Sequence, residues 1–499
     1  MEYDAIIIGS GVAGLFAGLK LSQAGKKILL IEKQPAAGGL ATSFSRRGFS
    51  FESSLHCVDA LGNDQDIRQF LKECAIDQRL EFIELKDFAR IIYPGHDFIA
   101  GFPIENFINF LKRSFPAEEK QIGRLFCQLN RFYAEFDRFS SSRLPLWLQV
   151  VLSPFLYPRV IRFSCITCEQ LLSRYIRDKK LRAIISDIWR FAGLPPQRLS
   201  ALYFLLVFRG YYYQQTAYVG GGFSSLFQAM VERIEEAGSR VKFNTGVKTI
   251  ITSGGAVKSV ITENGEEFRA RAVISNANAI DTLTSLLDNP EIKEKYRVKL
   301  AGLEKSISAT QVYLGLKVPA KALGMSHCIF SINTTYDYNE NFNYSLRQDY
   351  DNCSLELVDH AQIDPSLVPP GKGSLLIMTL DVYARWQGLT REEYERKKEE
   401  VADKLIRRAE RYLPGLSGYI EVKEVATPLT ISRFGSLPQG AIYGFAQTVN
   451  QSGINRLAQE TRVRGLFLAG AWTQPGGGLH GCFVSGIQAA ELALRFLKD

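Results

Sequence analysis

The first 32 residues constrain this chain most. Tyr3-Asp4-Ala5-Ile6-Ile7-Ile8 becomes a continuous apolar run, as expected of a strand buried on both faces of a parallel sheet. It leads directly into Gly9-Ser10-Gly11-Val12-Ala13-Gly14 and then an amphipathic stretch, Leu15 to Ala24, closed by Gly25. Lys27 to Ile31 reads as a second strand, and Glu32 ends it. In such a βαβ unit Gly9 permits the tight turn, Gly11 lets a pyrophosphate approach the backbone, and Gly14 lets helix and strand pack closely. The helix N-terminus offers free N–H groups and the positive end of a dipole to phosphate. Glu32 can accept hydrogen bonds from an adenosine ribose, and an acid there disfavours a 2′-phosphate. These elements together predict a dinucleotide site on an α/β, Rossmann-type domain.

A second glycine pair follows the second strand, in Gly38-Gly39-Leu40-Ala41-Thr42-Ser43, with Gly48-Phe49-Ser50-Phe51-Glu52 shortly after. It resembles the FAD-specific extension shared by amine oxidases, carotenoid desaturases and GDP-dissociation inhibitors. At the other end, Arg464 to Trp472 reads as a strand entering a glycine-bearing turn. Pro475-Gly476-Gly477-Gly478-Leu479-His480-Gly481 is a loop, and Cys482 to Leu497 an apolar-periodic helix. A loop feeding a helix N-terminus suits negative charge on the pyrimidine edge of a reduced flavin.

Taken with Tyr218-Val219-Gly220-Gly221-Gly222-Phe223, Gly246-Val247, Val273-Ile274-Ser275-Asn276-Ala277, Ala426-Thr427-Pro428-Leu429-Thr430 and Gly440-Ala441-Ile442-Tyr443-Gly444, these segments resemble the phytoene desaturase, carotenoid isomerase and retinol saturase group of flavoproteins. The resemblance implies non-covalent FAD, an amine-oxidase-like fold and a lipophilic conjugated polyene as substrate, changed by desaturation, saturation or double-bond isomerisation. By resemblance Val247 holds the adenine through its backbone. Two departures bear on the reaction rather than on the cofactor. Leu40 replaces an arginine that often follows the glycine pair, and Ser53-Ser54-Leu55-His56 replaces the usual Gly-Pro or Gly-Ser step. The expected cofactor contacts are Gly9, Ser10, Gly11, Val12, Ala13 and Gly14, then Glu32 and Lys33, and Gly38, Gly39, Leu40 and Ala41. Val247, Gly470, Ala471, Gly478, His480, Gly481 and Cys482 complete the set.

A chain of 499 residues exceeds one ordinary core. Pieces of the FAD domain at both ends and in the middle imply a discontinuous domain, roughly 1–85, 212–282 and 422–499. An interleaved α+β substrate domain would then occupy 86–211 and 283–421. In the middle piece, Phe223 to Ala237 predicts a helix, Arg240 to Phe243 a strand, and 256–274 a hairpin around Asn264-Gly265. No second GxGxxG follows a strand, so no separate nicotinamide domain is expected. A nicotinamide or quinone redox partner would reach the flavin from the substrate side.

Pro145 to Phe163 carries three prolines, Trp147 and no acid, and basic residues follow from Arg159 to Arg182. The prolines exclude a straight membrane helix, and a monotopic patch around 145–182 lying in one leaflet is expected. Eight scattered cysteines, a lone Cys165-Ile166-Thr167-Cys168 and a first strand beginning near residue 3 point to a reduced, cytoplasmic, peripherally membrane-associated protein. Metal ligation is not expected. The net charge of +8 without a dense basic stripe excludes nucleic acid as the expected partner.

Of the five histidines, His56 and His480 are the catalytic candidates, as proton carriers or as stabilisers of anionic flavin. Tyr211, Tyr212, Tyr213 and Tyr218 suit core packing better than a polyene tunnel. Two other functions share the framework: an amine or protoporphyrinogen oxidase, and a flavin-free prenyl-binding escort. The intact C-terminal loop speaks against the escort.

Overall fold

A computed structural model describes residues 2–142 and 146–498; at 88, 146, 147, 149 and 150 it describes the backbone alone. Its first sheet forms around strand β1 (Glu2–Ile8), followed by helix α1 (Val12–Gln23) and strand β2 (Ile28–Ile31). β1 pairs in parallel with β2, Ile7 beside Leu30, and on its other side with Glu267–Ser275, Ile7 beside Ile274. Both faces are covered, which is why Ala5, Ile6 and Ile7 are completely buried and the run lacks polar alternation. Arg240–Lys242 extends the sheet beyond β2; Val247–Ser253, Ala256–Thr262 and Leu466–Leu468 complete its seven strands. The 256–274 hairpin forms as expected, whereas the strand at the C-terminal end is limited to Leu466–Leu468. The C-terminal helix starts at Leu479, three residues before the apolar periodicity begins, because Gly478 adopts φ +82° and turns the chain into it.

α1 lies between the helices Phe223–Glu236 and Leu479–Phe496. The approach is close enough to require glycine. A Cβ on Gly486 would overlap the Ala13 carbonyl, and one on Gly18 would meet Ile234 at 2.9 Å.

The second seven-stranded sheet runs in the order Ile420–Ala426, Ser308–Leu316, Gly373–Asp381, Leu355–Val358, Ile329–Ile332, Asp87–Tyr93, His96–Gly101. It is antiparallel except where Ile329–Ile332 pairs with Asp87–Tyr93. Arg391–Glu410 covers one face with Val401, Ala402, Leu405 and Ile406. Helices fill Ile104 to Phe208: Ile104–Ser114 packs on His96–Gly101, the 22-residue Glu119–Ser140 packs on Ile104–Ser114 and on Pro158–Ser164, and Leu146–Leu156, which contains Pro154, packs on Pro158–Ser164. Among the described residues no helix is long and apolar enough to cross a membrane.

Candidate active site

The glycine fingerprint forms a backbone cradle. Gly9 takes φ +91°, and its N–H donates to the Ile31 carbonyl at 2.8 Å, tying the turn to the end of β2. A Cβ on Gly14 would overlap the Gly9 carbonyl oxygen. Gly38 (φ +112°) and Gly39 (φ +60°) then fold back onto the turn: the Gly38 N–H donates to Ser10 O at 2.9 Å, and a Cβ on Gly39 would lie 3.3 Å from Gly11 Cα. The two glycine motifs are thus one structure. Asn276 completes it, and sequence reasoning gave it no role. Its amide lies where Cβ atoms on Gly11 and Gly470 would fall, at 2.5 and 2.7 Å, so it bridges the fingerprint and the C-terminal turn. The signal was available, since Asn276 immediately follows the strand that pairs with β1.

Glu32 is buried and accepts from Ser10 N (2.7 Å), Ser10 Oγ (2.9 Å) and Gln34 N (2.8 Å). A carboxylate offers about four acceptor positions, so capacity remains for a ribose hydroxyl. Lys33 is exposed, and Val247 opens its strand beside the Glu32 segment, where Thr245 N donates to Glu32 O at 2.9 Å.

Among the described residues three α-helices start from glycine, and their N-termini differ. Phe223–Glu236 is closed by buried Glu52, which accepts from Phe223 N (3.0 Å), Tyr218 OH (2.8 Å) and Ser43 Oγ (2.9 Å). Burial raises the Glu52 pKa. α1 after Gly11 and Leu479–Phe496 after Gly478 have neither a side-chain cap nor an acid in the first turn. Two open N-termini, one beside the Gly9–Gly14 cradle and one following the Gly470–Gly478 loop, fit a ligand with a diphosphate and a second electron-rich edge. Val12, Ala13 and Gly14 form the first turn of α1; His480, Gly481 and Cys482 belong to the first turn of the other. Gly470 N donates to Ser485 Oγ at 3.0 Å, fixing the turn to that helix, and Ala471 continues it.

The segment from Leu40 to His56 leads to the second sheet. Ser54 Oγ donates to Leu40 O (2.6 Å), and Ser53 O accepts from Tyr313 OH (2.8 Å) and Gln311 Nε2 (3.0 Å). Ala41 is buried in the same turn. His56 is 7% exposed, with Nδ1 3.6 Å from Glu356 Oε1, and its Nε2 has no hydrogen-bond partner among the described residues. Around it lie Phe191 and His360, each at a ring distance of 6.3 Å. Phe191 in turn packs on Tyr211 at 5.0 Å. Burial drives the His360 pKa down to about 3, and its Nε2 sits 2.9 Å from Leu55 O. Burial pushes Glu356 up, but His56 and Arg190 outweigh it and hold the carboxyl below its usual range. Arg190 donates to Asp187 Oδ2 (3.0 Å), Asn333 Oδ1 (2.6 Å) and Ser331 Oγ. Tyr443 OH donates to the Arg190 carbonyl at 3.2 Å. Tyr443 also borders the C-terminal loop, because a Cβ on Gly477 would lie 3.2 Å from its Cα. The junction therefore combines aromatic rings with buried ionisable side chains and leaves His56 Nε2 unpartnered among the described residues.

His480 belongs to a different network. Its Nδ1 is 3.2 Å from Asp59 Oδ2 and its Nε2 3.8 Å from Asp66 Oδ2, on a side chain 30% exposed. Burial alone would lower its pKa; the two carboxylates reverse that and raise it to about 9. Glu356, Asp59 and Asp66 were not anticipated, and no local pattern marks them. Tyr212 and Tyr218 are buried in the core. Among the described residues no cluster of metal-ligating side chains occurs.

The sequence pattern of the family described as flavin containing amine oxidoreductase matches residues 12–494. The chain is 28% identical to prolycopene isomerase 1, chloroplastic, of an Oncidium hybrid cultivar, over 98% of this chain and 83% of that protein. It is 26% identical to a 4,4'-diapophytoene desaturase (4,4'-diapolycopene-forming) of Methylomonas sp, over 98% and 94%. It is 24% identical to the all-trans-retinol 13,14-reductase of Danio rerio, over 94% and 82%. A crystal structure of an oxidoreductase from Methanosarcina mazei superposes with a TM-score of 0.67 at 17% identity, covering 98% of this chain and all of that one.

Proposed function

The chain belongs to the flavin-containing amine oxidoreductase family, and on that premise we propose that it is an FAD-dependent enzyme acting on C–C bonds of a lipophilic conjugated polyene. The observation that carries this reading is the pairing of an uncapped glycine cradle with a buried aromatic junction that leaves His56 Nε2 unpartnered. Full-length likeness to an isomerase, a desaturase and a reductase of carotenoids or retinol supports the substrate class.

In this reading Gly9 to Gly14 take the diphosphate, Glu32 the ribose and Val247 the adenine. Gly38 to Ala41 and Gly470 to Cys482 border the rest of the cofactor. Bound there, FAD supplies two-electron chemistry at its ring. The residues of the chain do the remainder. Glu356 faces His56 Nδ1 and so favours a proton on that nitrogen, leaving Nε2 to exchange a proton with substrate. Phe191, Tyr211 and Tyr443 shape an apolar wall, and burial keeps water from the exchange. Electrons pass to or from a nicotinamide or quinone.

Substrate enters from a membrane on which the protein rests peripherally. Supporting this, Val151 (62% exposed), Phe155 (83%) and Leu156 (44%) form an apolar face on Leu146–Leu156. Exposed Arg162, Arg174, Arg177, Lys179 and Lys180 follow it. The Trp147 side chain lies outside the described residues. Replacing Val151 and Phe155 with Asp should release the protein from anionic liposomes.

The test of function is direct. Purified protein should be yellow and release FAD on heating, and anaerobic incubation with polyenes and with amines, read by chromatography, should change only polyenes. Colourless protein that takes up no FAD, or turnover of amines alone, overturns the proposal.

A further inference from the structure

Arg456 is 3% exposed, yet its guanidinium meets only backbone carbonyls. Nε donates to Thr473 O (2.9 Å), Nη1 to Phe445 O (3.1 Å) and Gln451 O (3.2 Å), and Nη2 to Tyr443 O (3.4 Å) and Ala471 O. The donors are satisfied, but the charge is not neutralised: no carboxylate forms an ion pair with it among the described residues. The ionisable groups nearest in influence are Tyr203 and Cys482, both kept protonated by burial, which lifts the Cys482 thiol to about 12. Burial lowers the Arg456 pKa to about 10, so the group stays charged at neutral pH. By contrast Arg190, equally enclosed, faces Asp187. A buried unpaired cation is costly and favours an anion nearby.

Its position bears on which anion. Gly470 lies at the cradle, where an added Cβ would meet Asn276 and approach Ala13. Arg456 holds the residues that follow it, Ala471 and Thr473, which pack against Tyr443–Gly444 so closely that a Cβ on Gly444 would overlap the Ala471 carbonyl. Tyr203 OH donates to Gly477 O (3.0 Å) in the same loop, and Cys482 lies in the first turn of the uncapped helix that follows. The Ala471–Trp472 peptide is trans, so drawing its carbonyl toward Arg456 turns the Trp472 N–H the opposite way. That N–H meets no protein acceptor among the described residues. Arg456 and the helix N-terminus thus bias the same stretch of loop toward negative charge.

Resting on the FAD reading above, we propose that Arg456 is the built-in counter-charge of the reduced flavin, acting through the Tyr443–Phe445 and Ala471–Thr473 backbone on the pyrimidine edge and raising the reduction potential. It is a positioning and electrostatic residue, not one that touches substrate.

The test uses FAD-loaded protein and the variants R456Q and R456K. In R456Q the affinity for oxidised FAD should stay within about threefold of the parent. The preference for reduced over oxidised flavin should fall at least tenfold, read by dye equilibration as a drop of about 30 mV for a two-electron couple. R456K, which keeps the charge, should lose less than half of that. An unchanged potential in R456Q overturns the assignment, as does an equal loss of affinity for both redox forms, which would assign Arg456 to the diphosphate or to loop scaffolding. Should R456Q fail to fold, the parent reconstituted with 8-mercapto-FAD decides: the quinoid absorbance of a pigment beside positive charge supports the assignment, and the thiolate spectrum overturns it. A parent that takes up no FAD sinks the flavin reading and this inference together; a parent that binds FAD with a silent R456Q sinks this inference alone.

Discussion

The two ends of the site are built from different materials. The cradle at Gly9–Gly14 and Gly38–Gly39 is almost entirely backbone, with Glu32 its one buried acid. The junction at the second sheet is made of enclosed ionisable side chains: His56, Glu356, Arg190 and Asp187, with Arg456 behind the neighbouring loop. A backbone site works by the absence of side chains, so it is intolerant of a single Cβ and indifferent to pH. A charged site tolerates changes of volume better but depends on which neighbour carries which charge. Substitutions at each end should therefore fail in different ways.

The largest effect is expected at the glycines. Gly14→Ala puts a Cβ onto the Gly9 carbonyl, which cannot yield, and flavin retention should fall at least a hundredfold, about 2.8 kcal/mol. Gly11→Ala sharpens the comparison, because its Cβ meets only the Asn276 amide, a side chain that can move. If the cradle exists for a diphosphate, G11A loses FAD even when combined with N276A. Restored FAD content in the double variant would make Gly11 a packing glycine.

Next comes His56→Ala, where turnover of the polyene should fall by about 10²–10⁴, the range for a lost proton-transfer group, while FAD content stays constant. Glu356→Gln, which keeps shape but removes the charge facing Nδ1, should cost less, about tenfold to a hundredfold in kcat with KM little changed. Loss of bound FAD in either variant would show that the junction is scaffolding for the cradle, and the contrast between the ends would disappear.

What was legible from sequence divides along the same line. The glycines of the cradle were readable because they lie within the first 40 residues and each has one local reason to be there, whereas Asn276, which completes it, lies far along the chain. The C-terminal loop was readable for the same reason. The substrate side was not. His56 and Glu356 are 300 positions apart, and Arg456 reaches both Tyr443 and Ala471 across loops whose irregular course no periodicity encodes. His480 illustrates the limit best. Its place in the glycine loop was evident, but its direction was set by Asp59 and Asp66, more than 400 residues away.

A smaller effect is expected from Glu32→Gln. The carboxylate accepts three hydrogen bonds from Ser10 and Gln34. An amide can keep some of them, but it presents an N–H₂ where an acceptor is needed. FAD affinity should weaken by about 1–3 kcal/mol, measured by titrating apoprotein, with the absorption spectrum of bound flavin unchanged. A shifted spectrum would mean that the nucleotide end communicates with the ring.

The smallest effect concerns His480, where the comparison predicts a pH signature that the cradle cannot produce. Its folded pKa of about 9 lies above the ordinary 6.5, so the ion pairs stabilise the fold fully below pH 6.5 and are lost as pH rises through 9. The contact with His480 is the main reason the Asp66 pKa lies below its ordinary 3.8; burial opposes it, and Arg209, itself paired to Asp137, adds a weaker pull. That contribution is present above pH 3.8 and fades as acid lowers the pH further. The same contact thus loses strength at both extremes. The rise from 6.5 to about 9 would nominally correspond to about 3.4 kcal/mol, but Asp66 is 76% exposed and water screens it, so about 1–2 kcal/mol remains. Between pH 6 and 9.5 the melting temperature of the parent should fall by about 1–3 °C more than that of His480→Gln. The flavin potential of the variant should hardly move, because the imidazole is turned toward Asp59 and the exposed Asp66, where water screens the lost charge. Parallel melting curves for the two proteins would remove the ion pairs from the account, and a potential shift as large as that of R456Q would return His480 to the flavin.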